Sequence, residues 1–349
     1  MTRSRSRRRR WRLAGLILSS LMCLAALDVE VSLLFFPKIT LQRGGGSYIL
    51  SDPLLGYGPR PDARARVTWK RFGWVIYDAH YGIDGLGRRL TQGAVDPEAH
   101  TVVFVGDSYT FGDGLNDAEA LPQQYSQARG YRDRVINAAF SGYGPGQVLR
   151  LIDSARVSPQ LGKGPRLFIY AAIDAQLGRL DPNALLHRPG DPLYRLEGQA
   201  LRHAGTFHPG PQGALLTLAG KSAIVRGLRD LTLAAPSRSN APLFGAVTQA
   251  AQAAARRRFG AAFLVVLWDE PVWQDGGNPV RASQRTAAVK AMADEMSRRG
   301  VAYVRVSALV PDYRVHRSDY VLAGSGHPSA ALNRRLAAAL AQRLSVETP

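Results

Sequence analysis

From Thr101 to Leu344 the chain alternates short, unbroken apolar runs with longer stretches in which apolar positions recur at helical spacing. The runs predict strands at 101–106, 133–138, 166–173, 260–268 and 301–306. The helical spacing predicts helices over 117–129, 145–156, 242–258, 281–299 and 329–344. Short strands without polar alternation belong to a parallel sheet covered on both faces. Regular alternation with helices makes this an α/β fold, a three-layer sandwich around a central parallel sheet. Pro145 near the start of one helix and Gly300 just past the end of another fit the asymmetry of helix ends.

Two regions depart from this rhythm. Residues 38–98 form a lead-in region of short strands, where Val67–Tyr77 mixes β-branched and aromatic residues around Gly73, the pattern of a hairpin. Its aromatics Trp69, Phe72, Trp74 and Tyr77 are expected to pack against the main domain, the alternative being a sugar-binding surface. Residues 178–240 read as an insertion rich in Pro, Gly and His, with a hairpin at Tyr194–Leu201, placed where it can shape a pocket. The remaining 99–349 is the main domain.

The N-terminus is patterned differently again. Leu13–Leu27 is apolar and uncharged, and the stretch to Phe36 is long enough to span a bilayer if Asp28 and Glu30 lie near an interface. No small-x-small cleavage site follows, and Ser20–Cys23 does not form a lipobox, so 13–36 reads as an uncleaved anchor rather than a signal peptide. Residues 1–12 hold seven arginines and no acid, a basic tail that places the N-terminus in the cytoplasm and the main domain outside it. The expected location is the inner membrane, single-pass, with a periplasmic or extracellular domain.

Composition then narrows the picture. The net charge of +18 suggests nucleic acid until it is located; without the tail's seven arginines the rest carries +11, scattered rather than set in a stripe. No nucleic-acid partner is expected, and attraction to anionic lipid or polysaccharide is secondary. Cys23 is the lone cysteine and lies in the anchor, so no disulfide or thiolate metal site is expected in the domain. His187, His203 and His208 match no compact ligand spacing, and neither a metal nor a cofactor is expected.

The chemistry is concentrated at two points. Val102–Val105 ends in Gly106-Asp107-Ser108, an apolar strand delivering a serine to the rim of a sheet, where ligands gather in open α/β folds. Near the other end, Gly324–Ser329 is a glycine-rich turn carrying His327 just before a helix. Serine nucleophilic catalysis needs a base within reach in space, whatever the separation in sequence.

These segments resemble the SGNH/GDSL hydrolases. Gly106-Asp107-Ser108 with Gly112 is similar to their first block, Asn137–Gly144 to the second and His327-Pro328-Ser329 to the last. The resemblance implies a flavodoxin-like fold with Ser108 as nucleophile, His327 as base, and an oxyanion hole from the N–H groups of Ser108 and Gly142. Two positions differ. Tyr170–Gln176, at the third block, has no Asn, which leaves Gln176 as the amide to supply a third donor. No Asp precedes His327 by two or three residues, so its orienting group is a backbone carbonyl, Ser325, or a distant carboxylate such as Asp319, Asp269 or Glu270.

The resemblance implies a serine esterase acting outside the cytoplasm on an O-acyl ester of an envelope glycan or lipid, by hydrolysis or by transfer to a hydroxyl. A non-catalytic polysaccharide- or partner-binding envelope protein with a degenerate hydrolase pocket is the other class the residues leave open.

Overall fold

The computed structural model describes residues 2–41, 47–157, 161–181, 187–233, 238–269 and 279–346. Its first element is α1 (Thr2–Phe35), whose stretch Arg10–Phe35 is long and apolar enough to cross a membrane. Five short strands follow: β1 (Lys38–Leu41), β2 (Ile49–Asp52), β3 (Gly56–Pro59), β4 (Arg64–Arg71) and β5 (Trp74–Gly82). β2 and β3 make a hairpin, while β1, β4 and β5 form an antiparallel sheet. The β4–β5 turn is the pair Phe72–Gly73, both at positive φ (49° and 83°), the primed geometry that matches strand twist.

The main domain begins with β6 (Thr101–Gly106), α2 (Ser108–Phe111), α3 (Leu121–Ala128), β7 (Arg134–Asn137), α4 (Pro145–Asp153) and β8 (Arg166–Ala172). The insertion supplies β9 (Pro192–Glu197), β10 (Ala200–Thr206), α5 (Pro211–Ala219) and α6 (Ala223–Leu233). The α/β rhythm then resumes with α7 (Ala241–Phe259), β11 (Ala262–Leu267), α8 (Pro279–Arg298), β12 (Tyr303–Arg305), α9 (Val306–Leu309), α10 (Arg317–Tyr320) and α11 (Ala330–Val346).

The central sheet is parallel throughout, in the order β12-β11-β8-β6-β7. Strand alternation divides its residues between two cores. Val103, Val105, Phe168 and Val265 pack toward α4, α7 and α8; Val102, Phe104, Ile169 and Val266 pack toward α3 and α11. This is the three-layer α/β sandwich with a flavodoxin-like strand order. Its direction of winding reverses between β6 and β8, and the crevice beyond the carboxyl ends of those strands is where such folds bind ligands.

Local chemistry accounts for the differences from the sequence expectations. The helix expected over 117–129 is two pieces: Asn116 and Glu119 close a capping box on the turn Asp117–Glu119, and Pro122 then opens α3. The last strand stops at Arg305 because Val306 already starts α9. α5 escaped the periodicity because it is apolar on nearly every side. Of the four aromatics expected to pack on the main domain, Trp69 and Tyr77 are partly buried edge-to-face against each other, whereas Phe72 and Trp74 stand exposed at the hairpin tip.

Candidate active site

Ser108 sits where β6 leaves the sheet. Gly106 adopts φ 145°, and a Cβ there would meet Thr110 Oγ1 at 2.7 Å and the Ala171 carbonyl at 3.0 Å, so this corner requires glycine. Asp107 caps α2 by accepting the Tyr109 N–H at 3.1 Å through Oδ1. The far end of α2 is held by Arg89 of the lead-in region, wholly buried, which donates to the carbonyls of Phe111 (2.7 Å), Gly112 (2.6 Å) and Leu115 and pairs with Asp117 at 2.9 Å. Its guanidinium lies 4.2 Å from the Tyr81 ring centroid, so the cation is solvated by carbonyls and a π face instead of water.

His327 approaches from the loop before α11. Its backbone carbonyl accepts from Leu322 N–H at 2.8 Å, and its ring packs 5.5 Å from that of Tyr109. Nε2 lies 3.0 Å from Ser108 Oγ, and Nδ1 lies 2.9 Å from the buried Ser325 Oγ, which also accepts the His327 N–H at 3.2 Å. With Nδ1 protonated and donating to Ser325, Nε2 is the acceptor for the Ser108 hydroxyl. Of the carboxylates considered for this position, Asp319 is exposed beside His316, and Asp269 binds the N–H (2.9 Å) and hydroxyl (2.5 Å) of Ser307. Glu270 lies outside the described residues.

Gly142 lines the same cavity as Ser108, and neither its N–H nor that of Ser108 meets an acceptor among the described residues. The Ser141–Gly142 peptide is clamped from two directions. Tyr57 OH donates to the Ser141 carbonyl at 2.9 Å, and Ser141 Oγ donates to Asp113 Oδ1 at 2.6 Å. A trans peptide directs its N–H away from its carbonyl, so fixing the Ser141 oxygen fixes the Gly142 donor. Gly142 has φ 82°, and a Cβ there would stand 2.7 Å from Tyr57 OH, leaving no room for a side chain.

Gln176 does not reach this donor pair. It is wholly buried, absent from the cavity wall, and its Nε2 donates to Asp107 Oδ2 at 3.1 Å. The same carboxylate oxygen takes Arg179 Nη1 at 2.6 Å, so Gln176 and Arg179 together satisfy the buried Asp107. Asp174 is tied to Arg285 at 2.5 Å and likewise does not line the cavity.

Ser108, Gly142 and His327 share one cavity of ≈ 490 Å³. Its wall combines all parts of the chain: Phe36 of the α1 end, Tyr77 and Tyr81 of the lead-in region, and Arg188, Asp191 and Arg226 of the insertion. Burial pushes the Tyr57 hydroxyl up to about 12 and the Asp113 carboxyl above its usual range. Burial likewise raises Asp191 to about 7 and lowers His187 to about 4. His187 is stacked 3.6 Å from the Phe207 ring, with Nε2 2.9 Å from the Asp181 carbonyl. Among the described residues no group of three His, Cys, Asp or Glu side chains could hold a metal.

Sequence reasoning missed Tyr57, Arg89, Asp113 and Arg179. Asp113 and Arg179 lay beside recognised segments, one residue past Gly112 and three past Gln176; Tyr57 and Arg89 reach the site from the lead-in region, distant in sequence.

No family model matches the chain, and no curated protein matches it. Among solved structures it is similar to a member of the lipolytic protein G-D-S-L family from Veillonella parvula, at 10% identity and TM-score 0.39, covering 71% of this chain and 99% of that one. It is similar to the lipase/acylhydrolase from Enterococcus faecalis at 11% identity and TM-score 0.41, covering 71% and 96%. A psychrotrophic esterase from Pseudoalteromonas sp. is similar at 14% identity and TM-score 0.38, covering 71% and 97%.

Proposed function

We propose that this chain is a membrane-anchored serine esterase of the SGNH/GDSL type, acting on an O-acyl ester outside the cytoplasm. The observation that carries the reading is the 3.0 Å separation of Ser108 Oγ and His327 Nε2, in a cavity also lined by Gly142, whose N–H, like that of Ser108, meets no acceptor among the described residues. In this mechanism His327 takes the Ser108 proton as Oγ attacks the ester carbonyl. The two N–H groups receive the oxyanion, and their alignment before reaction is what lowers the barrier. His327 then returns the proton to the departing alkoxide. Water, activated by the same imidazole, releases the acyl group from Ser108; a sugar or lipid hydroxyl in its place gives transfer. Ser325 holds the imidazole through Nδ1, taking the position where a carboxylate commonly stands. α1 is the anchor, and the arginines before it favour a cytoplasmic N-terminus.

The test is labelling of the full-length chain in detergent with a fluorophosphonate, beside Ser108→Ala and His327→Ala. The expected result is rapid labelling of the unaltered chain, abolished in Ser108→Ala and slowed by about 10³-fold or more in His327→Ala. Labelling that persists in Ser108→Ala, or none in the unaltered chain, would overturn the assignment.

A further inference from the structure

The cavity that holds Ser108 and His327 is walled on one side by Ser32 and Phe36, in and just beyond the last turn of α1, and by Pro37 and Ile39 just after it. The catalytic cavity therefore reaches the point where a membrane-spanning helix would leave the bilayer. Two elements flank that point. α6 runs beside α1: Asp28 of α1 accepts from Ser222 Oγ at 2.6 Å and from Ile224 N–H at 2.9 Å, and Arg226 stands 4.8 Å over the Phe36 ring. On the other side the β4–β5 hairpin places Arg71 5.1 Å over the Phe35 ring.

These two elements, and α5, which ends three residues before Ser222, carry several exposed apolar side chains. Phe72 and Trp74 at the hairpin tip are 70% and 78% exposed; Leu215 and Leu218 of α5 are 66% and 61%, and Leu228 of α6 is 54%. Gly213 is the one buried residue of α5, so this apolar helix has almost no protein cover. Single exposed apolar residues occur on any protein, but a set gathered around the end of a membrane helix matches an interfacial surface. Arg71 and Arg226 beside it have the charge for lipid phosphates.

We propose that α5, α6 and the β4–β5 tip rest in the interfacial layer of the membrane that α1 crosses, so that the Ser108 cavity receives an acyl ester of a membrane lipid directly from the bilayer. The proposal rests on the esterase reading and on α1 as anchor, and names the lipid rather than the glycan as the ester's source.

Cys23, the lone cysteine, makes the surface easy to probe. In a Cys23→Ala background, a nitroxide is placed at Leu218→Cys and, for comparison, at Val95→Cys on an exposed site outside these elements. The full chain is reconstituted in vesicles of phosphatidylcholine and phosphatidylglycerol. The label at 218 is expected to relax with oxygen in preference to a water-soluble nickel chelate, and the label at 95 the reverse. Water exposure at 218 equal to that at 95 would overturn the proposal. In parallel, Trp74→Ser with Leu215→Ser and Leu218→Ser, all exposed, is expected to slow hydrolysis of a fluorogenic phospholipid ester in the vesicles by about 10-fold or more, with a water-soluble short-chain ester within about 2-fold. Equal losses on both esters would overturn lipid loading. If the unaltered chain hydrolyses neither ester, the esterase reading and the loading that depends on it fall, and the nitroxide still decides the membrane seat.

Discussion

Ser325 gives His327 a neutral partner at Nδ1, and a hydroxyl 2.9 Å away orients the ring without balancing the charge it gains. Orientation and charge are therefore separable here. Ser325→Ala is expected to lower kcat about 10-fold with little change in KM, well short of the loss on removing His327 itself. Steady-state kinetics on a short-chain ester measures this, and a loss as large as that of His327→Ala would show that Ser325 does more than orient. Tyr57 acts at the other side of the cavity, on the peptide that carries the Gly142 N–H. Tyr57→Phe keeps the ring packing on Phe140 and Tyr143 but frees the Ser141 carbonyl. The expected result is a fall in kcat of about 10-fold and a stability loss of about 1 kcal/mol. An unchanged kcat would show that the peptide needs no hydroxyl to hold it.

At the scale of elements, the lead-in region is part of the candidate site's architecture, and Arg89 is its attachment. Its guanidinium satisfies three carbonyls around the end of α2 and the following turn, and pairs with Asp117. Arg89→Met leaves the Leu115 carbonyl without a donor, takes one of two donors from the Phe111 and Gly112 carbonyls, which keep Asn137 Nδ2 and the Leu115 N–H, and leaves Asp117 without its cation. A loss of about 3–5 kcal/mol is expected, measured by urea unfolding, with slower fluorophosphonate labelling in the variant that remains folded. The inner strands β6, β8 and β11 were legible because burial on both faces keeps a nearly unbroken apolar run, as Val102–Val105 does. Ser108 and His327 were legible because each follows a glycine-containing turn at a strand or helix end. Arg89 was not: an arginine among turn residues looks like solvated surface, and only the closed fold reveals that it is buried. The same holds for Gln176, whose amide was free in sequence terms until the fold set it against Asp107.

For the molecule as a whole, the cavity wall contains two buried groups whose protons respond to pH in opposite directions. Asp191, raised to about 7 by burial, holds a proton in the folded state that the unfolded chain releases near 4. Between those values the folded state binds more protons, so this group makes stability fall as pH rises from about 4 to about 7. His187, lowered to about 4 by burial, stays neutral in the folded state while the unfolded chain protonates it near 6.5. There the unfolded state binds more protons, so this group makes stability rise with pH from about 4 to about 6.5. Each amounts at most to about 3–4 kcal/mol, and they largely cancel across the shared window. Single replacements should uncover the slopes. Relative to the unaltered chain, His187→Phe is expected to gain stability toward pH 4, and Asp191→Asn to gain it toward pH 7 and above. Urea midpoints taken from pH 4 to pH 8 measure both. Difference curves flat in pH would mean that neither group changes its protonation on folding. Slopes of the expected sign would show that the insertion, which supplies both residues, buries them at the cavity wall in solution and closes over the same space that Ser108 faces.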